Sequence, residues 1–504
     1  MRGITAALWG MAILTLAFRF PAPMQATSSP RTDSLPAAVR LSSIIPARPF
    51  PQHTAYHGGA ILPSHISREA MDDTVRSFYR QWKQRYILPG CAPDEKYVWF
   101  EGTSGRNICV SEGQGYGMMI VALMAGFDST AQKTFDDLYR YVQSHPSTSS
   151  PHLMSWMQTR YCRSVDGGTA TDGDMDIAFA LLLADAQWGR HSDIPYRQAA
   201  IDMIGAILRE EINPVTHIVM ECNGESPRSR DFFDMRSSDF MPDHIRAFRQ
   251  ATGDPVWDTV LDNNYRVFHY LQDTYSPDAG LVPDFIKNIR LHAGQGYSGS
   301  STRPAPHGGD ASSTPPAPHG GDGDETAMDT GDDISAMPAQ PDYLESKYDG
   351  KYNFNACRVP WRVAADYLVS GDKRAAGFLS RINPWIRETT KDNPDNISAG
   401  YNLSGEDLPH RYFEALCFIC PFAVAAMANP HNQEWLNKLW DYIVGFKMKD
   451  FDYYDNSIKM IDLIILSGNY WAPLSDSPSA PPSVCPSAPS ALAPGRLNAP
   501  ALHP

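Results

Sequence analysis

The chain has 504 residues, a formal net charge of −14, 42% hydrophobic and 11% aromatic residues. That length suits two or three ordinary domains or one large helical one with a sizeable core. The acidic balance argues against nucleic acid or an anionic membrane surface as partner, and 8 cysteines are too few for a disulfide scaffold.

Residues 1–26 read as a secretory signal peptide: Arg2, then an apolar run from Ile4 to Phe18 too short for a membrane span, then Ala26 as a cleavage point. Residues 27–60 are rich in Pro, Ser and Thr and read as a flexible lead. From Asp72 to Tyr86, Val75, Phe78, Tyr79, Trp82 and Tyr86 fall at helical spacing. Further helices are expected over 114–126, 132–145, 174–188, 194–210, 242–252, 255–273, 358–370, 372–388, 409–428, 431–447 and 454–467. No convincing strand pairs intervene, so the pattern predicts an all-α chain of alternating inner and outer helices. Cys91 and Cys109 flank a loop and are candidates for a pair, a point the sequence leaves open. Cys417 and Cys420 sit in an apolar run and read as buried helix cysteines, not zinc ligands. Residues 295–341 carry a repeated PAPHGGD among Gly, Ser, Thr and Pro and read as a disordered insert, with His307 and His319 belonging to a duplicated linker. Residues 475–504 form a Pro/Ala/Ser-rich tail.

Two stretches carry chemistry. In Ser111-Glu112-Gly113-Gln114-Gly115-Tyr116-Gly117-Met118 a lone glutamate stands among glycines before an apolar run. The glycines read as a turn leading into a buried helix. A carboxyl at such a place is partly desolvated, which raises its pKa and suits a general acid. The plainer reading of Glu112 is a favourable charge at a helix N-terminus. In Ala170-Thr171-Asp172-Gly173-Asp174-Met175-Asp176 acidic residues again crowd the start of a buried helix. An EF-hand calcium loop would need Gly at the position of Ile177 and Glu at that of Leu183, so calcium of that type is not expected. Helix capping by Asp172 is the plain alternative.

These stretches, SEGQGYGM and ATDGDMDIAFALLLADAQW, resemble the signatures of glycoside hydrolase family 8. So do Tyr352-Asn353-Phe354-Asn355-Ala356-Cys357-Arg358 and the segment from Tyr453-Tyr454-Asp455-Asn456-Ser457 to Trp471, in the same order along residues 60–474. The resemblance implies an (α/α)6 barrel over 61–474 and an inverting, endo-acting hydrolase. It implies Glu112 as general acid and Asp172 as the acidic residue gripping and distorting the cleaved sugar. Trp156, Tyr454 and Arg358 resemble substrate-binding residues of the family, though each could be core packing instead.

The base is less direct. The cellulase-type branch has an Asp three residues before the motif arginine; here Asn355 stands there, and a neutral amide cannot deprotonate water. The chitosanase-like branch resembles this chain in having Asn there, with its base a Glu about ten residues earlier; that count reaches Glu345, with Asp342, Asp349 and Asp284 as fallbacks. Asn355 itself is expected to bind the water or the sugar.

The reading is a secreted β-1,4-glycanase acting on β-glucan or chitosan, working as a monomer with no metal and no cofactor. Its rivals are a catalytically silent carbohydrate-binding protein that lost its base, and a polysaccharide lyase. A lyase needs a Tyr/His or Asn/His pair with basic neighbours, which these motifs lack.

Overall fold

Two kinds of helix alternate along the chain in the computed structural model. It describes residues 45–100, 106–189, 192–223, 228–229, 231–291, 334–409, 414–449 and 452–473. The signal peptide, most of the lead, residues 295–333 of the insert and the tail lie outside the described residues.

The described residues hold twelve α-helices: α1 (Arg68–Tyr86), α2 (Ser111–Leu123), α3 (Ala131–Ser144), α4 (Thr171–Trp188), α5 (Tyr196–Glu210), α6 (Pro242–Thr252), α7 (Val256–Tyr275), α8 (Val359–Ser370), α9 (Lys373–Thr390), α10 (Leu416–Ala426), α11 (Gln433–Gly445) and α12 (Tyr453–Leu466). The even-numbered helices α2, α4, α10 and α12 are buried almost all round, as helices surrounded by others must be. The odd-numbered ones are amphipathic; α1 buries Met71, Val75, Phe78, Tyr79 and Trp82 and, apart from the buried Asp72, turns its charges outward. Even helices touch in chain order, α2 to α4, α6, α8, α10 and α12, and α12 returns to α2. Each odd helix from α3 to α11 packs on the even helix before it, and α1 on α12.

Helix ends explain the polarity of this arrangement. Residues 47–60, expected as part of a flexible lead, instead run with Ile61 across C-terminal ends. The N–H groups of Ala47, Phe50, Thr54, His57 and Ile61 donate to the carbonyls of Gln187, Ala125, Gly468, Leu368 and Met427, at distances of 2.6–2.9 Å. Those carbonyls belong to the last turns of α4, α2, α12, α8 and α10 or lie just past them, groups no helix satisfies by itself. The opposite, N-terminal ends of α2, α4, α8 and α12 carry Glu112, Asp172, Arg358 and Tyr454.

The glycine-rich motif is part of α2, not a turn before it. The reason is close packing: a Cβ on Gly173 would lie 2.3 Å from Ser111 Oγ, and one on Gly115 2.6 Å from Asp176 Cβ. Glycine at these positions lets α2 and α4 approach until their backbones nearly touch. Farther in, Arg362 grips Asp176 with two hydrogen bonds of 2.9 and 2.7 Å, and His244 Nε2 contacts Asp176 Oδ1 at 2.9 Å. His244 Nδ1 meets Asp243 Oδ1 at 2.8 Å, and the Tyr470 hydroxyl donates to Asp243. Burial works to strip the His244 proton, but Asp243 and Asp176 outweigh it and raise the pKa. Asp176 thus joins α4, α6 and α8.

Several expectations are corrected. Short antiparallel pairs exist: β1 (Ile87–Pro89) with β2 (Lys96–Val98), β3 (Asn107–Val110) with β4 (Met157–Thr159), and β5 (Met235–Arg236) with β6 (Phe285–Leu291) and β7 (Ile334–Pro338). β7 falls inside the stretch read as a disordered insert; its residues pair with β6, Ile286 opposite Pro338 and Leu291 opposite Ile334. Cys91 bonds to Cys162 instead of Cys109, because Cys162 lies just beyond β4 while Cys109 is buried within β3. Helix α10 starts at Leu416, not 409, where the Asp455 carboxylate of α12 accepts the N–H groups of Leu416 (3.0 Å) and Cys417 (2.8 Å) and caps it.

Gly173→Ala is expected to lower unfolding stability by about 1–3 kcal/mol through overpacking at the α2–α4 contact. Urea denaturation checks it; an unchanged midpoint contradicts the close-approach account.

Candidate active site

Arg358, 1% exposed, ends a single 3-10 turn leading into α8 and reaches across the N-terminal ends of α2 and α4. Its Nη1 donates to Glu112 Oε2 (2.7 Å), Asp172 Oδ2 (2.8 Å) and the Tyr116 hydroxyl (3.3 Å). Its Nη2 donates to Ser238 Oγ (2.7 Å) and Asn355 Oδ1 (3.0 Å). A guanidinium taken out of water needs such partners.

Glu112 and Asp172 stand side by side yet are driven apart in acidity. Burial dominates at Glu112 and raises its pKa, with the Asp172 charge adding to the rise, while Arg358 and a 3.0 Å hydrogen bond from the Tyr453 hydroxyl to Oε1 pull it back. At Asp172 burial also opposes the charge, but Arg236 and Arg358 outweigh it and hold the carboxyl at about 2. Arg236 Nη2 lies 3.0 Å from Asp172 Oδ1, and the N–H of Gly173 donates to that same oxygen at 2.8 Å. Asp172 is thus not the cap of α4, which is Ala170, but its second residue, where it accepts one first-turn N–H and holds the ion pairs.

Asn355 and Glu345 complete the constellation. Because Arg358 donates to Asn355 Oδ1, the amide must turn its nitrogen the other way, and Nδ2 donates to Glu345 Oε2 at 2.8 Å. One continuous chain of hydrogen bonds thus runs Glu112–Arg358–Asn355–Glu345. Glu345 is exposed, on the loop that follows β7.

Two of the fallback carboxylates, Asp284 and Asp349, are committed to backbone N–H groups. Asp284 Oδ1 accepts the N–H groups of Asn353 (2.9 Å), Asn355 (3.1 Å) and Ala356 (2.7 Å), and burial pushes its pKa up to about 8. Asp349 is likewise buried, and both its oxygens are taken by backbone N–H groups of 344–346. Asp342 is exposed, at a positive φ of 58°, where its N–H closes a turn onto the Ser346 carbonyl.

Trp156 accepts the N–H of Ser111 at its carbonyl (2.9 Å), one residue before Glu112. Its half-buried indole donates to Asp166 Oδ1 at 3.0 Å. Tyr454 donates to the Phe354 carbonyl at 2.6 Å and sets its ring 5.7 Å from the Arg358 guanidinium carbon. Asp174 is fully buried: its Oδ1 accepts the Met154 N–H at 2.9 Å. Its carboxyl faces that of Glu211; burial first, then this mutual contact, raises Asp174, and Glu211 stands at about 7.

All seven site residues singled out in the sequence lie in or beside this network. Arg236, Tyr116, Ser238 and Tyr453 were missed. Tyr453 adjoins Tyr454 in the fourth motif, and Arg236 sits in the charged run Asp231 to Asp239, both visible signals. Ser238 carries none, since only its position opposite Arg358 distinguishes it.

Residues 64–298 match the sequence profile described as Glycosyl hydrolases family 8. The chain is 37% identical over 428 residues to a β-glucanase of Niallia circulans, a match covering 84% of this chain and 92% of the relative. It is 34% identical over 438 residues to an endoglucanase of a Bacillus species, covering 85% of this chain and 83% of that protein. The solved apo structure of a β-1,3-1,4-glucanase from a Paenibacillus species aligns with a TM-score of 0.72 at 36% identity, covering 85% of this chain and 100% of that one.

The Tyr453 hydroxyl favours the ionised form of Glu112. Tyr453→Phe is therefore expected to move the Glu112 pKa further up, as followed by carbon-13 NMR of labelled glutamate carboxyls; a fall or no change contradicts the assignment.

Proposed function

The chain belongs to glycoside hydrolase family 8, and from that premise we propose that it is a secreted, inverting endo-β-1,4-glucanase acting on mixed-linkage or cellulose-type β-glucan. The relatives' printed names, β-glucanase, endoglucanase and β-1,3-1,4-glucanase, support a glucan over chitosan. The cycle of contacts among the even helices, each backed by an odd one, supports the (α/α)6 reading. The leader pattern in residues 1–26 and the Cys91–Cys162 disulfide support export. Among the described residues no helix is long and apolar enough to cross a membrane.

One observation carries the mechanism: Glu112 and Glu345 sit at opposite ends of the Arg358–Asn355 bridge. Inversion needs an acid and a base kept about 6.5–9.5 Å apart, so that a water fits against the sugar on the face opposite the leaving group. Two interposed side chains keep these carboxyls from meeting. Glu112, its proton held by burial, gives it to the glycosidic oxygen as the C1–O bond breaks. Glu345 takes a proton from the water whose oxygen bonds to C1. The Asn355 amide engages Oε2 of Glu345 and leaves Oε1 for the water. Asp172, ionised down to about pH 2, accepts hydroxyls of the cleaved sugar and offsets the positive charge that develops on its ring. Trp156 and Tyr454 supply flat faces for pyranose rings.

Reducing-sugar release from barley β-glucan, carboxymethyl cellulose and chitosan tests this reading. The wild type is expected to act best on β-glucan. Glu112→Gln and Glu345→Gln are each expected to lower kcat by about 10²–10⁴-fold, with a small change in KM. Polymer binding without hydrolysis by the wild type, or full activity of Glu345→Gln, contradicts it.

A further inference from the structure

The loop that presents Glu345 is exposed, yet its backbone is held at several points. Its foot is pinched: a Cβ on Gly350 would lie 2.0 Å from the Ala339 carbonyl oxygen. The Ala339 N–H donates to the Phe285 carbonyl (3.0 Å), and the Phe285 N–H donates to the Asp349 carbonyl (2.9 Å), so the first residue of β6 holds both legs. Tyr343 packs with Phe285 and Ala339 and donates its hydroxyl to Asp234 Oδ2 at 3.1 Å. Between foot and tip stands the Asp349 side chain, 1% exposed. Its Oδ2 accepts the N–H groups of Leu344 (2.7 Å) and Glu345 (3.0 Å), and its Oδ1 that of Ser346 (2.8 Å).

Three consecutive backbone N–H groups aimed at one buried carboxylate form a nest, and the residue at its centre is Glu345. We propose that Asp349 is a positioning residue for the reaction: it fixes the backbone of Glu345, while Asn355 fixes its carboxyl, and the two together aim Oε1 at the attacking water. The inference rests on the reading of Glu345 as base. Asp349 acts only through Glu345, since both its own oxygens are occupied. An asparagine here could accept with one oxygen only and would turn an NH2 group against a backbone N–H. Alanine would leave three backbone donors without their acceptor.

The test compares Asp349→Ala, Asp349→Asn and Glu345→Ala on β-glucan, with and without azide. Azide needs no base: it bonds to C1 from the face opposite the leaving group as the C1–O bond breaks, and Glu112 still protonates the departing oxygen. Asp349→Ala is expected to lose about 10²-fold in kcat, the scale of a misplaced catalytic group, with KM nearly unchanged. Asp349→Asn is expected to lose less. Azide is expected to restore turnover in Asp349→Ala as in Glu345→Ala, giving the α-glycosyl azide. If Asp349→Ala does not fold, the same comparison is made on Asp349→Asn. A kcat within twofold of wild type for the Asp349 variant beside an inactive Glu345→Ala overturns the inference and leaves the base assignment standing. Loss of activity that azide does not restore, while it restores Glu345→Ala, also overturns it. Full activity of Glu345→Ala overturns the base assignment itself.

Discussion

The site depends on one buried positive charge. Arg358 has almost no contact with solvent, so its charge is tolerable only because Glu112, Asp172, Tyr116, Ser238 and Asn355 surround it. That requirement joins the starts of α2, α4 and α8. Removing one member of such a buried pair typically costs about 3–5 kcal/mol, which makes the network a structural constraint as well as a functional one. The close α2–α4 approach allowed by Gly115 and Gly173 brings Glu112 and Asp172 within reach of a single Nη1 atom.

Around that charge, identical chemical groups are given different properties by their neighbours. Asp172, Glu112 and Asp284 are all carboxyls penalised by burial. Two arginines hold Asp172 at about 2, whereas Asp284 has only backbone N–H groups and stands at about 8. Glu112 is raised by burial and restrained by Arg358 and Tyr453. Side-chain identity alone would not separate these carboxyls; the balance of burial, cations and hydrogen bonds at each does.

Much of this was legible in the sequence because it is local. The apolar runs of α2 and α4 and the stripe of α1 mark their helices, and the acidic residues at the starts of α2 and α4 mark the cleft end. What was not legible depended on distant partners. The glycines of the 111–118 segment looked like a turn because the surface they pack against belongs to α4. The start of α10 was placed too early because its cap is Asp455, far along the chain. Nothing local in the sequence marks Cys162 as the partner of Cys91, since β3 and β4 must pair before the two thiols come together. Asn355 looked like a defect in a base position. Its meaning lies in orientation, with Oδ1 committed to Arg358 and Nδ2 thereby presented to Glu345.

In the proposed mechanism two carboxyls held apart by an arginine–asparagine bridge act on opposite faces of one sugar. Proton NMR of the anomeric region during the first minutes of β-glucan hydrolysis tests it most directly. Single displacement of a β-linkage predicts that new reducing ends appear first as the α-anomer and then mutarotate. Initial appearance of the β-anomer would mean a double displacement, and would contradict the roles assigned to Glu112 and Glu345.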